Sequence, residues 1–216
     1  MKHSKARLCW KLFKVLDKYV VPLMRRPVKQ LAMLLHRWQI TANQVSLVGY
    51  CLGLLCVVAL STGNFITALL LLAVNRVADG IDGELARLGE PTDAGAFLDL
   101  CLDFTFYGLF PIGFAIYDPQ SNALIAAVLI ASFIGTGVSF LAFDSFAKQR
   151  QIDHPEFGYK GFYYLNGLAE GTETILFFVL MCLFPGYFFI LASVFACICL
   201  LTAINRIWFG FKTLAG

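Results

Sequence analysis

Charge is scarce in this sequence. Only 14% of its 216 residues are Asp, Glu, Lys or Arg, against about 25% in an ordinary soluble domain. Metal-type cysteine spacing is missing as well. The seven cysteines (Cys9, Cys51, Cys56, Cys101, Cys182, Cys197 and Cys199) form no Cys-x-x-Cys pair and no Cys/His pattern. They lie mostly in apolar runs and read as small packing residues. The first residues are too polar and basic for a cleavable signal peptide. These absences exclude a disordered chain, a secreted disulfide scaffold and a typical soluble enzyme. What is present instead is apolar: 59% of residues, with a mean hydropathy of +0.73. That composition describes a polytopic membrane protein within one domain's length. Its 21 Phe residues suit a lipid-facing chain.

Uncharged stretches mark the spans. The run from Gln44 to Asn75, broken at Ser61-Thr62-Gly63-Asn64, is too long for one helix. It fits two, over 44–62 and 64–82, each near the ~20 residues a bilayer requires. A third span covers 95–117, and Asp118-Pro119 with Asn122 marks a turn. A fourth covers 123–146. Pro185-Gly186 divides the last apolar run into spans 168–184 and 187–208. The expected fold is an all-α integral membrane protein with six transmembrane helices. In domain terms, residues 1–43 form a cytoplasmic interfacial segment and 44–216 the six-helix membrane domain.

Basic residues sort by position. Ten precede Asn43; Arg76 and Arg87 flank the connection between spans two and three; Lys148, Arg150 and Lys160 lie between spans four and five; Arg206 and Lys212 follow span six. The turns at 61–64, 118–122 and 185–186 hold none. With six spans all 17 fall on one side, which the positive-inside rule makes cytoplasmic, together with both termini. Near the start, Arg7, Lys11, Lys14 and Lys18 share one helical face, while Leu8, Leu12, Val15, Leu16 and Tyr19 cover much of the rest. This predicts an N-terminal amphipathic helix on the membrane surface. Pro22 and Pro27 interrupt it, and a second interfacial helix is expected over Val28 to Trp38.

Charged groups in hydrocarbon cost about 2.5–3.5 kcal/mol each on insertion scales, so intramembrane acids are functional candidates. Asp79, Asp82, Gly83, Ala86 and Arg87 recur at i, i+3, i+4, i+7, i+8, one stripe if the helix continues to Arg87. Gly95, Asp99 and Asp103 form a second stripe on the next helix. The short connection from Leu88 to Ala94, with Gly89 and Pro91 as turn signals, makes these helices antiparallel neighbours. Four carboxylates can then converge near their cytoplasmic ends. Their mutual repulsion calls for a cation or protons, and oxygen-only ligands favour hard ions such as Mg²⁺, Mn²⁺ or Ca²⁺. Gly83 and Ala86 leave room for a ligand, and Arg87 suits its phosphate. Two metals could clamp an in-line phosphoryl displacement. Glu84 departs from the stripe and is expected to face elsewhere.

At these residues the sequence closely resembles the CDP-alcohol phosphatidyltransferase family, of the phosphatidylglycerophosphate and phosphatidylinositol phosphate synthase kind. The family signature is Asp-x-x-Asp-Gly-x-x-Ala-Arg, a spacer, then Gly-x-x-x-Asp-x-x-x-Asp. Asp79, Asp82, Gly83, Ala86, Arg87, Gly95, Asp99 and Asp103 match every fixed position. The spacer is one residue shorter than the commonest pattern. Before span one the family often has Thr-Pro-Asn; here Thr41-Ala42-Asn43 lacks the Pro, with Asn43 still able to cap the helix.

The resemblance implies Asp79, Asp82, Asp99 and Asp103 as ligands of Mg²⁺ or Mn²⁺, with two ions and Asp103 also the catalytic base. Gly83, Ala86 and Arg87 would hold the CDP moiety. The implied reaction moves a phosphatidyl group from CDP-diacylglycerol to a small polar alcohol, releasing CMP. Lys148 and Arg150 are candidate contacts for a phosphate on the acceptor, with Lys160 and Arg206 the other cations available. Asn75 and Arg76, one turn before Asp79, are candidate supporting groups. Glu170 and Glu173 can stabilise the start of span five, His154 reads as a surface residue, and Pro111 as a kink in span three. The partners expected are the CDP-alcohol donor, the acceptor, the lipid bilayer and a second copy of the chain, with no nucleic acid. The Gly49-x-x-x-Gly53 pair is a packing signal in span one. The expected location is a bacterial inner (plasma) membrane, with the active site cytoplasmic. Two rivals stand beside this reading: transfer of a CDP-activated small alcohol to diacylglycerol, and a cation transporter using the same carboxylates.

Overall fold

A computed structural model of the chain describes residues 27–89, 91–150 and 171–215, with Lys148 described by its backbone. The amphipathic helix expected around Arg7–Lys18 lies outside the described residues, as do His154, Lys160 and Glu170. Every regular element among the described residues is helical. A short helix α1 covers 27–37, where a second helix was expected over Val28 to Trp38. It is followed by α2 (Ala42–Ser61), α3 (Phe65–Leu88), α4 (Asp93–Tyr117), α5 (Pro119–Gln149) and α6 (Gly171–Leu183). A 3₁₀ turn, Pro185–Tyr187, leads into α7 (Phe188–Ala215).

Four of these segments are long and apolar enough to cross a membrane: Ala42–Ser61, Asp93–Tyr117, Pro119–Ala147 and Pro185–Ala215. The other two expected spans differ for separate reasons. Helix α3 has 24 residues, about 36 Å at 1.5 Å per residue, but Arg76, Asp79, Asp82, Glu84 and Arg87 occupy its second half. Helix α6 has 13 residues among those described, about 20 Å.

The chain divides into two compact units. The first takes in Met1–Tyr50 and Val74–Leu100; the second takes in Cys51–Ala73 and Cys101–Gly216.

In the first unit, α1 buries Ala32 against Ile81 and Leu85 of α3, with Val28, Leu35, Ala42, Val45 and Val77 packed around them. Val28, Ala32 and Leu35 share one face of α1 at helical spacing. Leu31, Leu34 and Trp38 face outward and are exposed, as an interfacial helix requires. The helix ends with Ile40 N–H donating to the Leu35 carbonyl and Gln39 N–H to His36. This double closure needs a left-handed residue, and Gln39 supplies it at φ 59°. Helix α2 then opens on a reciprocal cap. Gln44 N–H donates to the Thr41 hydroxyl (3.3 Å) and Thr41 N–H to the Gln44 side chain (3.0 Å). The capping residue is therefore Thr41, where Asn43 had been expected: the helix begins at Ala42, so Asn43 already lies inside its first turn. Thr92 caps α4 through the Gly95 N–H (3.1 Å).

In the second unit, Gly63 at φ 76° lets Asn64 N–H reach the Ala59 carbonyl (2.8 Å), ending α2 and reversing the chain. The largest fully buried side chains are phenylalanines. Phe106, Phe110, Phe114, Phe178, Phe188 and Phe195 are fully buried. Phe110 stacks on Phe178 (centroids 3.8 Å apart) and Phe114 on Phe188 (4.3 Å). Phenylalanine thus serves the interior as well as the outer surface, where Phe97 and Phe211 are exposed. Pro111 is accommodated in a continuous α4 and fully buried. Cys56, Cys182 and Cys199 are buried packing residues as expected.

A Cβ on Gly113 would meet Leu60 Cβ at 2.7 Å and the Val57 carbonyl at 3.0 Å. Gly113→Val should therefore force α4 from α2 and cost about 1–3 kcal/mol, read as a lowered melting temperature of the detergent-purified protein. At the start of α5, Asp118 accepts from Ser121 N–H (3.2 Å). Hydrogen bonds from Ser121 hold its carboxyl below the ordinary value of 3.8. A depressed folded-state pKa stabilises above the unfolded value and is lost as pH falls through the folded one. Asp118→Ala should therefore lower the melting temperature at pH 7, with the difference from wild type shrinking as pH drops below 3.8.

Candidate metal centre and nucleotide pocket

The expected metal and nucleotide residues fall in the first unit, except Asp103. Helix α3 runs on to Leu88, so the stripe from Asp79 to Arg87 is helical throughout. The connection to α4 is short, and the Thr92 cap starts the new helix three residues before Gly95. Carboxylate oxygens of Asp79, Asp82 and Asp99 lie within 4.8 Å of one another. Asp82 is buried, at 6% exposure. Asp103 follows four residues later on α4 and belongs to the second unit. Three carboxylates at this spacing, with no His or Cys in the group, form a donor set that fits a hard divalent cation.

A network of neutral and cationic groups positions the acids. Asn75 is 3% exposed. Its Nδ2 donates to the Gly49 carbonyl of α2 (2.8 Å), and its Oδ1 accepts from Arg76 Nε (2.7 Å). Arg76 Nη1 lies 3.8 Å from Asp79 Oδ2. The two supporting residues expected from sequence thus connect a ligand candidate to the backbone of the neighbouring helix. Gly49 makes the approach possible: a Cβ there would sit 3.1 Å from that of Ala78. Its packing partner is therefore within the chain. From α2, the Ser46 hydroxyl lies 2.6 Å from Asp82 Oδ2 and 3.1 Å from the Ala42 carbonyl. Its single proton serves the nearer, charged acceptor.

Beside the carboxylates lies a pocket of about 860 Å³. Asp82, Gly83, Ala86, Gly95 and Asp99 line one part, and the segment from His36 to Ser46 lines another. Gly95 is small for a reason: a Cβ there would meet Asn43 Oδ1 at 3.0 Å and Thr92 Oγ1 at 3.1 Å. Arg87 is exposed and pairs with Glu84 at 2.6 Å. One guanidinium nitrogen would lie 4.0 Å from a Cβ on Gly83, although Arg87 itself is not among the residues that line the pocket. Glu84 is buried. It is off the stripe, as read from spacing, yet its i, i+3 relation to Arg87 turns it toward that cation. In the second unit, Arg150 donates to the Leu214 carbonyl near the end of α7, the kind of orphan group a basic side chain can satisfy.

Ser46, His36 and Arg37 were missed by sequence reasoning. Ser46 carried a signal only in hindsight, because its partner is 36 residues away. His36 drew no reading from sequence, and Arg37 was only one of the ten basic residues before Asn43.

Comparison with known proteins gives a family and its relatives. Residues 39–207 match the family model described as CDP-alcohol phosphatidyltransferase. The chain is 46% identical to the inner membrane protein YnjF of Escherichia coli (strain K12), over 93% of this chain and 97% of that protein. It is 31% identical to an uncharacterized protein of Aquifex aeolicus (strain VF5), over 74% and 76% of the two chains. It is 34% identical to the archaetidylinositol phosphate synthase of Pyrococcus horikoshii, over 38% and 44%.

Asn75→Leu should leave the Gly49 carbonyl and Arg76 without their buried partner. The expected cost is about 1–3 kcal/mol, measured as a fall in melting temperature well beyond that of an exposed substitution on the same helix.

Proposed function

The chain belongs to the CDP-alcohol phosphatidyltransferase family, whose members are phosphotransferases of phospholipid synthesis, and on that premise we propose that it transfers a phosphatidyl group from CDP-diacylglycerol to a small polar alcohol. The observation that carries this reading is the convergence of Asp79, Asp82 and Asp99 within 4.8 Å, beside a pocket lined by Gly83 and Ala86. Asp79, Asp82, Asp99 and Asp103 would hold two Mg²⁺ or Mn²⁺ ions. Such ions supply positive charge that stabilises the diphosphate as it cleaves.

The chain's own residues do the rest. Gly83 and Ala86 leave the wall open to the cytidine nucleotide, and Arg87 holds its phosphates, exchanging its contact with Glu84 for them. Asp103 takes the proton from the acceptor hydroxyl as that oxygen attacks the lipid-bearing phosphorus. The bond from that phosphorus to CMP breaks, CMP leaves, and the new phosphodiester is the phospholipid headgroup linkage. Lys148 and Arg150 are proposed contacts for an acceptor phosphate. Arg206 lines a second cavity of about 360 Å³ within the second unit, which supports an acceptor of that charge. The family is one of enzymes, which weighs against a cation transporter. Transfer of a CDP-activated small alcohol to diacylglycerol is the competing donor assignment within it.

We place the enzyme in a bacterial inner membrane, as the name of the Escherichia coli relative supports. It would have six spans over 44–216, an interfacial segment over 1–43, cytoplasmic termini and a homodimeric assembly.

The test incubates purified protein with CDP-diacylglycerol, Mn²⁺ and a panel of polar alcohols and their phosphates. CMP release with one acceptor is expected, and its loss on chelation. Asp103→Asn should slow release by about 10²–10⁴-fold while the protein remains folded. CMP release from a CDP-activated alcohol and diacylglycerol alone would reverse the donor assignment. A near-normal rate in the Asp103 variant would remove its role as base.

A further inference from the structure

We propose that Ser46, on α2, is the positioning residue for Asp82 and sets the metal affinity of the cluster. The proposal rests on reading the cluster as a metal centre. Asp82 Oδ2 lies 2.6 Å from the Ser46 hydroxyl, a short charge-assisted bond to a buried carboxylate. One carboxylate oxygen is thereby fixed, and with it the direction in which the other faces.

Ser46 can do this because it is held on both sides. One turn before it, the Thr41–Gln44 reciprocal cap fixes the start of α2. One turn after it, Asn75 of α3 grips the Gly49 carbonyl. Asn75, Ala78 and Asp82 lie at i, i+3, i+7, the same face of α3. Gly49 packs on Ala78 and Ser46 meets Asp82, so the two helices are in one register along this face. A hydroxyl at 46 therefore meets the carboxylate at a set distance rather than by rotation of a mobile side chain. Groups that orient a metal ligand from behind typically change metal affinity by 10–100-fold when removed.

The full-length protein in detergent is titrated with Mn²⁺, and free Mn²⁺ is followed by electron paramagnetic resonance. Wild type should bind. Ser46→Ala should weaken binding by about 10–100-fold, and Ser46→Thr, which keeps the donor, should restore it toward wild type. Ser46→Cys replaces a strong donor with a weak one at similar volume and should weaken binding as Ala does, so it carries the test if the Ala variant does not accumulate. Melting temperature in chelator separates a purely structural role: a lowered value with unchanged Mn²⁺ affinity overturns the proposal. Equal loss in the Thr and Ala variants overturns it as well. A wild-type protein that binds no Mn²⁺ overturns the metal reading itself, which is a distinct result.

Discussion

Asp79, Asp82 and Asp99 bring three like charges within 4.8 Å in a chain that carries few charges at all, and the first unit is organised by what that repulsion demands. Only Asp82 of the three is buried, but like charges this close still favour a compensating charge nearby. Part of the compensation is built in. Arg76 stands near Asp79, and the Ser46 hydroxyl meets Asp82. Asn75 couples this arrangement to α2. On the proposed function the remainder would come from a cation, with substrate entering through the open pocket beside the acids.

The same constraint explains why small residues recur where helices meet. Gly49 lets α2 close on Ala78, so that a side-chain amide can reach a backbone carbonyl. Gly95 lets the start of α4 lie against Asn43. A methyl group at either place would push apart elements whose separation sets the spacing of the acids. The second unit answers a different need. It buries no cluster of like charge among its described residues, and its interior is instead filled by stacked phenylalanine rings. The aromatic core is densely packed.

Much of this was legible beforehand, and for identifiable reasons. The ends of the apolar runs agree with the helices to within a few residues in most cases, because turn residues such as Gly63 and Asp118-Pro119 interrupt both hydropathy and hydrogen bonding. The stripe of Asp79, Asp82, Gly83, Ala86 and Arg87 depended only on helical periodicity, and α3 extends to Leu88 as that stripe requires. Helix α3 runs on past the expected span bound at 82, since charge ends an apolar run without ending a helix. The cap of α2 was misplaced by two residues, because Thr41 and Asn43 are both good capping residues and only the start of the helix distinguishes them. Phenylalanine was read as lipid-facing because hydropathy does not distinguish a residue facing lipid from one facing another helix.

Periodicity and composition by themselves determined the helical class and marked out the acidic residues, while the family came from the resemblance of their signature motif. These are local properties, set by spacing along one helix or by a run of apolar side chains. Asn75 and Arg76 were legible as supporting groups, but the tertiary structure alone decided which groups of the neighbouring helix they and the acids meet. Ser46 against Asp82, Asn75 against Gly49 and Asn43 beside Gly95 all join residues far apart in the chain. Such pairs depend on the register between packed helices, and that register is settled by side-chain shape at the contact, which no single helix encodes.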